Sequence, residues 1–255
     1  TMNMKLGLKQ KRFFKKYGFL LIPNILSSDE IKLLNVDSKF LLKNESQTLY
    51  KKDKNSKITK LINWNTSSNN EIFSLIARDE RFVNIAKTIL DHKTIYVYSH
   101  KITLKEPLSG GGWEWHQDFG YWHNNGCLQP NMLSIYLAID KATKQNGCLQ
   151  IYESSHKLGR LDHERINDQT CLSKHYLKEI NSKFKHRYVE LNSGDALVFD
   201  CNLIHSSSDN TSTDRRVGFI VSYNTKENSP MYNKRNYGNY EILRKTNFKK
   251  ISNII

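Results

Sequence analysis

The chain has 255 residues, 38% of them hydrophobic and 11% aromatic, which suffices for a packed core and at this length favours one barrel-sized or sandwich-sized domain. No apolar run approaches the roughly 18 residues of a membrane span, and the basic N-terminal stretch lacks the apolar segment of a secretory signal, so a soluble protein is expected. The net charge of +14 suits a nucleic-acid partner, but the lysines are scattered and no recognition-helix or RNP-like signature accompanies them, so that class is disfavoured.

Residues 8–23, LKQKRFFKKYGFLLIP, predict an amphipathic helix that breaks at Gly18, runs into a strand and stops at Pro23. A second helix follows from Ser27, whose spacing to Glu30 is that of a capping box ahead of the apolar Ile31, Leu33 and Leu34. Residues 44–70 are polar and lysine-rich and read as a surface excursion. Residues 71–91 read as one broken helix or two short ones. From Thr94 the texture changes to short strands divided by turns: TIYVYSHKITL, MLSIYLAID, GCLQIY, HRYVEL, DALVFD and RRVGFIVSYN. Such a series predicts a barrel or sandwich rather than a βαβ fold. The charged segment from Leu158 to Lys185 reads as an insertion between strands, and the polar tail after Asn224 as a lid or a frayed end. The expected organisation is a single domain over 1–255, with a helical flank to about residue 92, a β core over about 93–224 and a tail from 225. The four cysteines, Cys127, Cys148, Cys171 and Cys201, form no C-x-x-C pair, which argues against a zinc knuckle and fits reduced thiols in a cytoplasm.

The stretch WEWHQDFGYWHNNG, Trp113 to Gly126, follows three successive glycines and is where chemistry concentrates. In extended chain His116 and Asp118 project from one face and Gln117 from the other. His205, at the end of a later strand, is the best third ligand. Two imidazoles and one carboxylate make the facial triad of non-haem iron(II) oxygenases, which leaves coordination positions open. An H-x-D pair also recurs by chance, and the context of His205 weighs against chance here. Arg215 and Arg216 follow it in a strand where Arg216 shares a face with Gly218 and Ile220, and Arg215 with Val217 and Phe219. A guanidinium on the inner face of a barrel requires a carboxylate, and the far end of 2-oxoglutarate is one.

These residues resemble the phytanoyl-CoA dioxygenase family of iron(II)/2-oxoglutarate oxygenases over nearly the whole chain. YGFLLIPNILSSDEI is similar to its N-terminal opening, WHQDFGYWH to its first iron motif, NGCLQIYESSHKLG to its central strand and turn, and GDALVFDCNLIHSSSDNTSTDRR to its second iron motif. The resemblance implies a double-stranded β-helix with flanking helices (an α+β chain, mainly β), catalytic metal ligands His116, Asp118 and His205, and Arg216 on the distal carboxylate of 2-oxoglutarate. Ser134 and Ser207 match hydroxyls that enzymes resembling ectoine hydroxylase place near 2-oxoglutarate; Thr103 and Trp113 are looser matches. Iron(II), 2-oxoglutarate and dioxygen are the implied cofactor and co-substrates. Asp118 fills the position that related halogenases leave to chloride, so hydroxylation is expected. One departure is ESSH, Glu153 to His156, where the family has Pro-Gly-Ser-His, which bears on the pocket wall.

For the substrate, the faces of Tyr121 and Trp122 suit an ammonium group, and Lys157, Arg160 and Arg165 suit a carboxylate or phosphonate. A small anionic or zwitterionic molecule is therefore expected. His123 and His163 can contact it or be solvated; Trp115 is expected to pack on the opposite face of its strand. The competing readings are a catalytically idle small-molecule or nucleic-acid binding barrel and a cupin-like metal isomerase, the latter typically richer in histidine ligands.

Overall fold

A computed structural model describes residues 6–44, 46–64 and 72–231. Helix α1 (Leu8–Tyr17) ends at Gly18, which takes the left-handed conformation (φ 81°) that glycine adopts without strain, and the chain continues as β1 (Phe19–Ile22). Helix α2 (Ser28–Leu41) carries the expected capping box: Glu30 N donates to Ser27 Oγ, and Ser27 N donates to the Glu30 carboxylate. The segment expected to be one broken helix or two short ones is, over its described residues 72–91, two helices, α3 (Ile72–Ala77) and α4 (Glu80–Leu90), divided at Asp79, which caps the second by accepting from Arg81 N.

The expected surface excursion over 44–70 is in its described part a hairpin. Strands β2 (Leu49–Lys52) and β3 (Ile58–Trp64) pair antiparallel, and β3 joins β4 (Ile95–Lys105). β2 is the outer strand and largely exposed, so its lysines meet water whichever way they point and leave no alternation to read. The flank before residue 92 thus supplies three strands as well as helices. Of the expected lid or frayed end after Asn224, Lys226–Asn228 form a short 3-10 turn whose Asn228 is buried and donates to Gln129 O; from residue 232 on, it lies outside the described residues.

Two antiparallel sheets face each other as the double-stranded β-helix. One runs in the order β1-β11-β6-β13-β4-β3-β2, the other β10-β7-β12-β5. Their remaining members are β5 (Trp113–His116), β6 (Met132–Ala138), β7 (Leu149–Tyr152), β10 (His186–Val189), β11 (Ala196–Asp200), β12 (His205–Ser207) and β13 (Arg216–Thr225). The segment between β7 and β10 is the expected insertion, a hairpin of β8 (His163–Ile166) and β9 (Gln169–Leu172) followed by α6 (Lys174–Lys183). A short helix, α5 (Asp118–Asn124), follows β5 directly.

Alternation along the large sheet separates core from site. Val217, Phe219 and Val221 of β13, Leu133, Ile135 and Leu137 of β6, and Ile102 and Leu104 of β4 turn outward to pack under the helices, against Phe14, Leu34, Phe73 and Phe82. Each such buried side chain contributes about 1.5–3 kcal/mol of transfer free energy. The opposite faces of the same strands carry Arg216, Ser134, Lys101, Thr103 and Lys105.

His100 of β4 sits on the helix side, hydrogen-bonded to Ser74 Oγ at 3.1 Å. Burial, assisted by the charge of Arg78, pulls its pKa down to about 4. The unfolded chain takes up this proton near pH 6.5 and the folded chain near 4, so between those values the unfolded state binds more protons. Stability therefore falls as pH drops through that window, by about 3 kcal/mol from this residue. Urea unfolding of the parent and His100→Gln at pH 7.5 and 4.5 measures it; equal acid losses in the two proteins would refute the assignment.

The ESSH turn resolves the departure from Pro-Gly-Ser-His. Ser154 adopts the left-handed conformation (φ 68°) suited to a glycine, and its N–H and Oγ donate to Tyr17 O and Lys16 O at 2.8 and 2.9 Å. The turn anchors the end of α1 instead of shaping the pocket, while Glu153 pairs with Arg187.

Candidate active site

His116 and His205 are direct partners in the β5–β12 ladder, which brings their ring centroids to 4.1 Å. β5 ends at His116; Gln117 keeps extended dihedrals (φ −115°, ψ 136°), and Asp118 opens α5. The single-strand picture of His116 and Asp118 is corrected to a strand end and a helix start. The extended Gln117 still turns both toward one side. Each Nε2 lies 3.8 Å from Asp118 Oδ1, and one ligand atom from each of the three side chains falls within 4.8 Å of the others.

Both imidazoles are oriented by the same local device. His116 Nδ1 meets Glu114 O at 2.7 Å and His205 Nδ1 meets Leu203 O at 2.9 Å, so the proton resides on Nδ1 and the Nε2 lone pair faces the carboxylate. Burial lowers the pKa of both rings, favouring the neutral form a metal requires. The second carboxylate oxygen of Asp118 accepts from Ser134 Oγ at 2.7 Å, and Ser134 Oγ is 3.0 Å from Ser222 Oγ. Ser134 thus fixes the orientation of the Asp118 carboxylate. The donor set, its fixed tautomers and its spacing fit a divalent metal with open positions.

A cavity joins the triad to Arg216, passing Trp113, Thr103 and Ser207. Strand alternation sends Arg216 inward, where it is 3% exposed; Arg215 turns outward to Asp140 at 3.2 Å and to Asn35. Arg216 Nη1 donates to Gly147 O, but among the described residues its Nε has no partner, nor has the hydroxyl of Tyr136, over whose ring the guanidinium lies at 5.7 Å. Gly218 makes this stacking possible, because a Cβ there would come within 2.3 Å of the Tyr136 ring. Two buried donors awaiting an acceptor fit a carboxylate.

Lys105, overlooked in the sequence, completes this end. It pairs with Arg216 in the β13–β4 register, is 1% exposed, and its Nζ donates to Ser207 Oγ at 2.8 Å and to Ser208 O. Burial, then the charge of Arg216, drives its pKa well down, and an incoming carboxylate would favour its charged form. Its signal was available: Lys101, Thr103 and Lys105 share one face of a strand.

The predicted substrate residues are scattered. Trp122 is buried with its ring against Tyr98 (5.4 Å), in a cluster with Tyr96, Phe119 and Met132. Arg160 pairs with Asp162 at 3.1 Å on the surface. Tyr121 presents its ring to His116 (5.7 Å) while its hydroxyl donates to Thr170 O. Trp115 stacks outward on Tyr152, as expected. Lys101, by contrast, lines the cavity beside Trp113, its Nζ 5.7 Å from that ring.

The profile of phytanoyl-CoA dioxygenase (PhyH) matches residues 14–218. The chain belongs to this family. It is 26% identical over 241 residues to L-proline trans-4-hydroxylase of Streptomyces griseoviridis (88% of this chain, 89% of that one), and 28% over 229 residues to ectoine dioxygenase of Streptomyces avermitilis (83% and 76%). The fold superposes on that of EctD from S. alaskensis with bound Fe at a TM-score of 0.80, with 21% identity, covering 96% of this chain and 89% of that one. The chain is accordingly an iron(II)- and 2-oxoglutarate-dependent dioxygenase, neither an idle binding barrel nor a cupin-like isomerase. Among the described residues no helix is long and apolar enough to cross a membrane.

Proposed function

We propose that this enzyme hydroxylates a small zwitterionic compound, of amino-acid size, whose carboxylate is received by Lys101. His116, Asp118 and His205 would hold the iron, and Arg216 and Lys105, with Tyr136, the distal carboxylate of 2-oxoglutarate. Bound there, iron(II) with 2-oxoglutarate would supply the oxidising chemistry, dividing dioxygen between the substrate hydroxyl and succinate as carbon dioxide leaves. The chain's own part is to orient and to keep water out. Leu149, Phe199 and Ile220 give the cavity apolar walls, and the Trp113 and Tyr121 rings stand beside His116.

The observation that carries the substrate reading is Lys101. Its ammonium lines the cavity, makes no ion pair among the described residues, and lies close enough to feel the charge of Asp118. Burial lowers its pKa, and an anionic partner would offset that cost. Relatives named for L-proline and ectoine support the same class. This reading moves the anionic subsite from Arg160, engaged by Asp162, to Lys101.

Lys101→Met should raise the KM for such a substrate by roughly 10-fold or more, the loss of one charge-assisted hydrogen bond. Substrate-independent conversion of 2-oxoglutarate to succinate should persist. The assay is a panel of amino acids, betaines, aminophosphonates and acyl-CoA esters, scored by succinate release together with a hydroxylated product. Coupled turnover only with long apolar acyl chains, or an unchanged KM in Lys101→Met, would defeat the proposal.

A further inference from the structure

The β8–β9 insertion meets the metal motif at points that lie beside the ligands rather than on them. β5 is an edge of its sheet, and the side chain of Gln169 gives that edge the hydrogen bonds a neighbouring strand would provide: Glu114 N donates to Oε1 at 2.8 Å, and Nε2 donates to Gly112 O at 3.0 Å. Gln169 is 1% exposed, so neither bond is shared with solvent. At the strand-to-helix junction, Gln117 N donates to His163 Nε2 at 2.9 Å. His163 Nδ1 meets Leu161 O at 2.9 Å, which fixes the neutral tautomer with Nε2 as acceptor. The Gln117 side chain accepts from Leu161 N at 2.8 Å, and Tyr121 OH both donates to Thr170 O (2.8 Å) and accepts from Thr170 N (3.2 Å).

Gly120 identifies which of these contacts the motif accommodates. A glycine inside a helix is unfavourable, yet a Cβ at this position would fall 2.4–2.6 Å from three atoms of the His163 ring. The first turn of α5 is therefore shaped to let that imidazole lie against its backbone. The hairpin is itself tied down, with Asn167 Nδ2 donating to Asp53 O at 2.8 Å and Lys52 N to Asp168 Oδ2 at 3.2 Å. Asp53 Oδ2 in turn accepts from Gly112 N at 2.8 Å, at the start of β5.

We propose that the β8–β9 hairpin is a clamp that sets the relative placement of His116 and Asp118, with His163 as its positioning residue. Among the described residues β12 alone borders β5 within its sheet, and the extended residue between His116 and Asp118, Gln117, has its N–H held by His163. Removing that acceptor leaves a buried N–H without a partner and frees the junction to rotate, spreading the carboxylate from the imidazole.

The inference rests on the triad being the metal site, so the experiment includes a variant that tests this separately. Metal-free parent, His116→Ala, His163→Phe, His163→Gln and Gly120→Ala proteins are titrated with cobalt(II), reading affinity and the visible d–d bands, with circular dichroism as a check of folding. His163→Phe should bind about 10- to 100-fold more weakly, the usual consequence of losing an outer partner of a metal site, and with altered bands. His163→Gln, which keeps an acceptor, should recover most of the affinity. Gly120→Ala, which keeps the acceptor but displaces the ring, should resemble His163→Phe and serves alone if that variant does not fold. Parental affinity and bands in both His163→Phe and Gly120→Ala, with binding lost in His116→Ala, would overturn the clamp. Parental binding in His116→Ala would overturn the triad assignment, and the clamp with it.

Discussion

His116→Ala and His205→Ala are each expected to lose iron(II) affinity by more than roughly 100-fold, beyond the usual loss for an outer-shell partner, and to lose conversion of 2-oxoglutarate to succinate. Each ring is buried, its Nε2 directed at the Asp118 carboxylate by a backbone acceptor on Nδ1. Removing one leaves a two-ligand site, which neither retains the metal nor presents the open face that the reaction requires. The remaining imidazole and carboxylate keep their own hydrogen bonds, Asp118 to Ser134 above all, so the fold should survive and melting should shift far less than metal binding. Anaerobic iron(II) titration and a substrate-free succinate assay measure the two losses. Full binding and full conversion in either variant would show that the metal lies elsewhere.

Arg216→Ala should weaken 2-oxoglutarate binding by about 2–4 kcal/mol, the cost of truncating one partner of a buried charged pair, or roughly 30- to 1,000-fold in Kd. The loss is large because the guanidinium is buried and its Nε has no partner among the described residues, while Lys105, bonded to Ser207 and Ser208 beside it, supplies a point charge but not the planar fork. Arg215→Ala is the matched control. That side chain faces outward to Asp140, a partly exposed pair worth at most about 1 kcal/mol to stability, and should leave 2-oxoglutarate affinity unchanged. Titration of the co-substrate against both variants decides between them. Equal affinities, or a larger loss at Arg215, would place the distal carboxylate elsewhere.

The contrast between these two adjacent arginines was legible in the chain itself. Successive residues of a strand face opposite ways, so the run from Arg215 to Val221 already divides into one row of Arg216, Gly218 and Ile220 and a second, more apolar row of Arg215, Val217, Phe219 and Val221. The same local rule separates Gln117 from its two neighbours, and the spacing of Ser27 to Glu30 announces the start of α2. Backbone geometry over a few residues is enough for each of these statements, and it reaches no further.

What only the tertiary structure decided depends on contacts between distant segments. Lys105 was one more lysine in a basic chain until the β4–β13 register set it beside Arg216, 111 residues on (216 − 105). Residues 49–52 form a strand although their lysines show no alternation, because an edge exposed to water imposes none. Trp122, expected at the substrate, packs against Tyr98, and Arg160 is occupied by its neighbour Asp162. His163 gained its place against Gly120 and Gln117 only when the insertion folded back over the metal motif. Register and docking are chosen by the summed packing of remote surfaces, and no local window of sequence contains that sum.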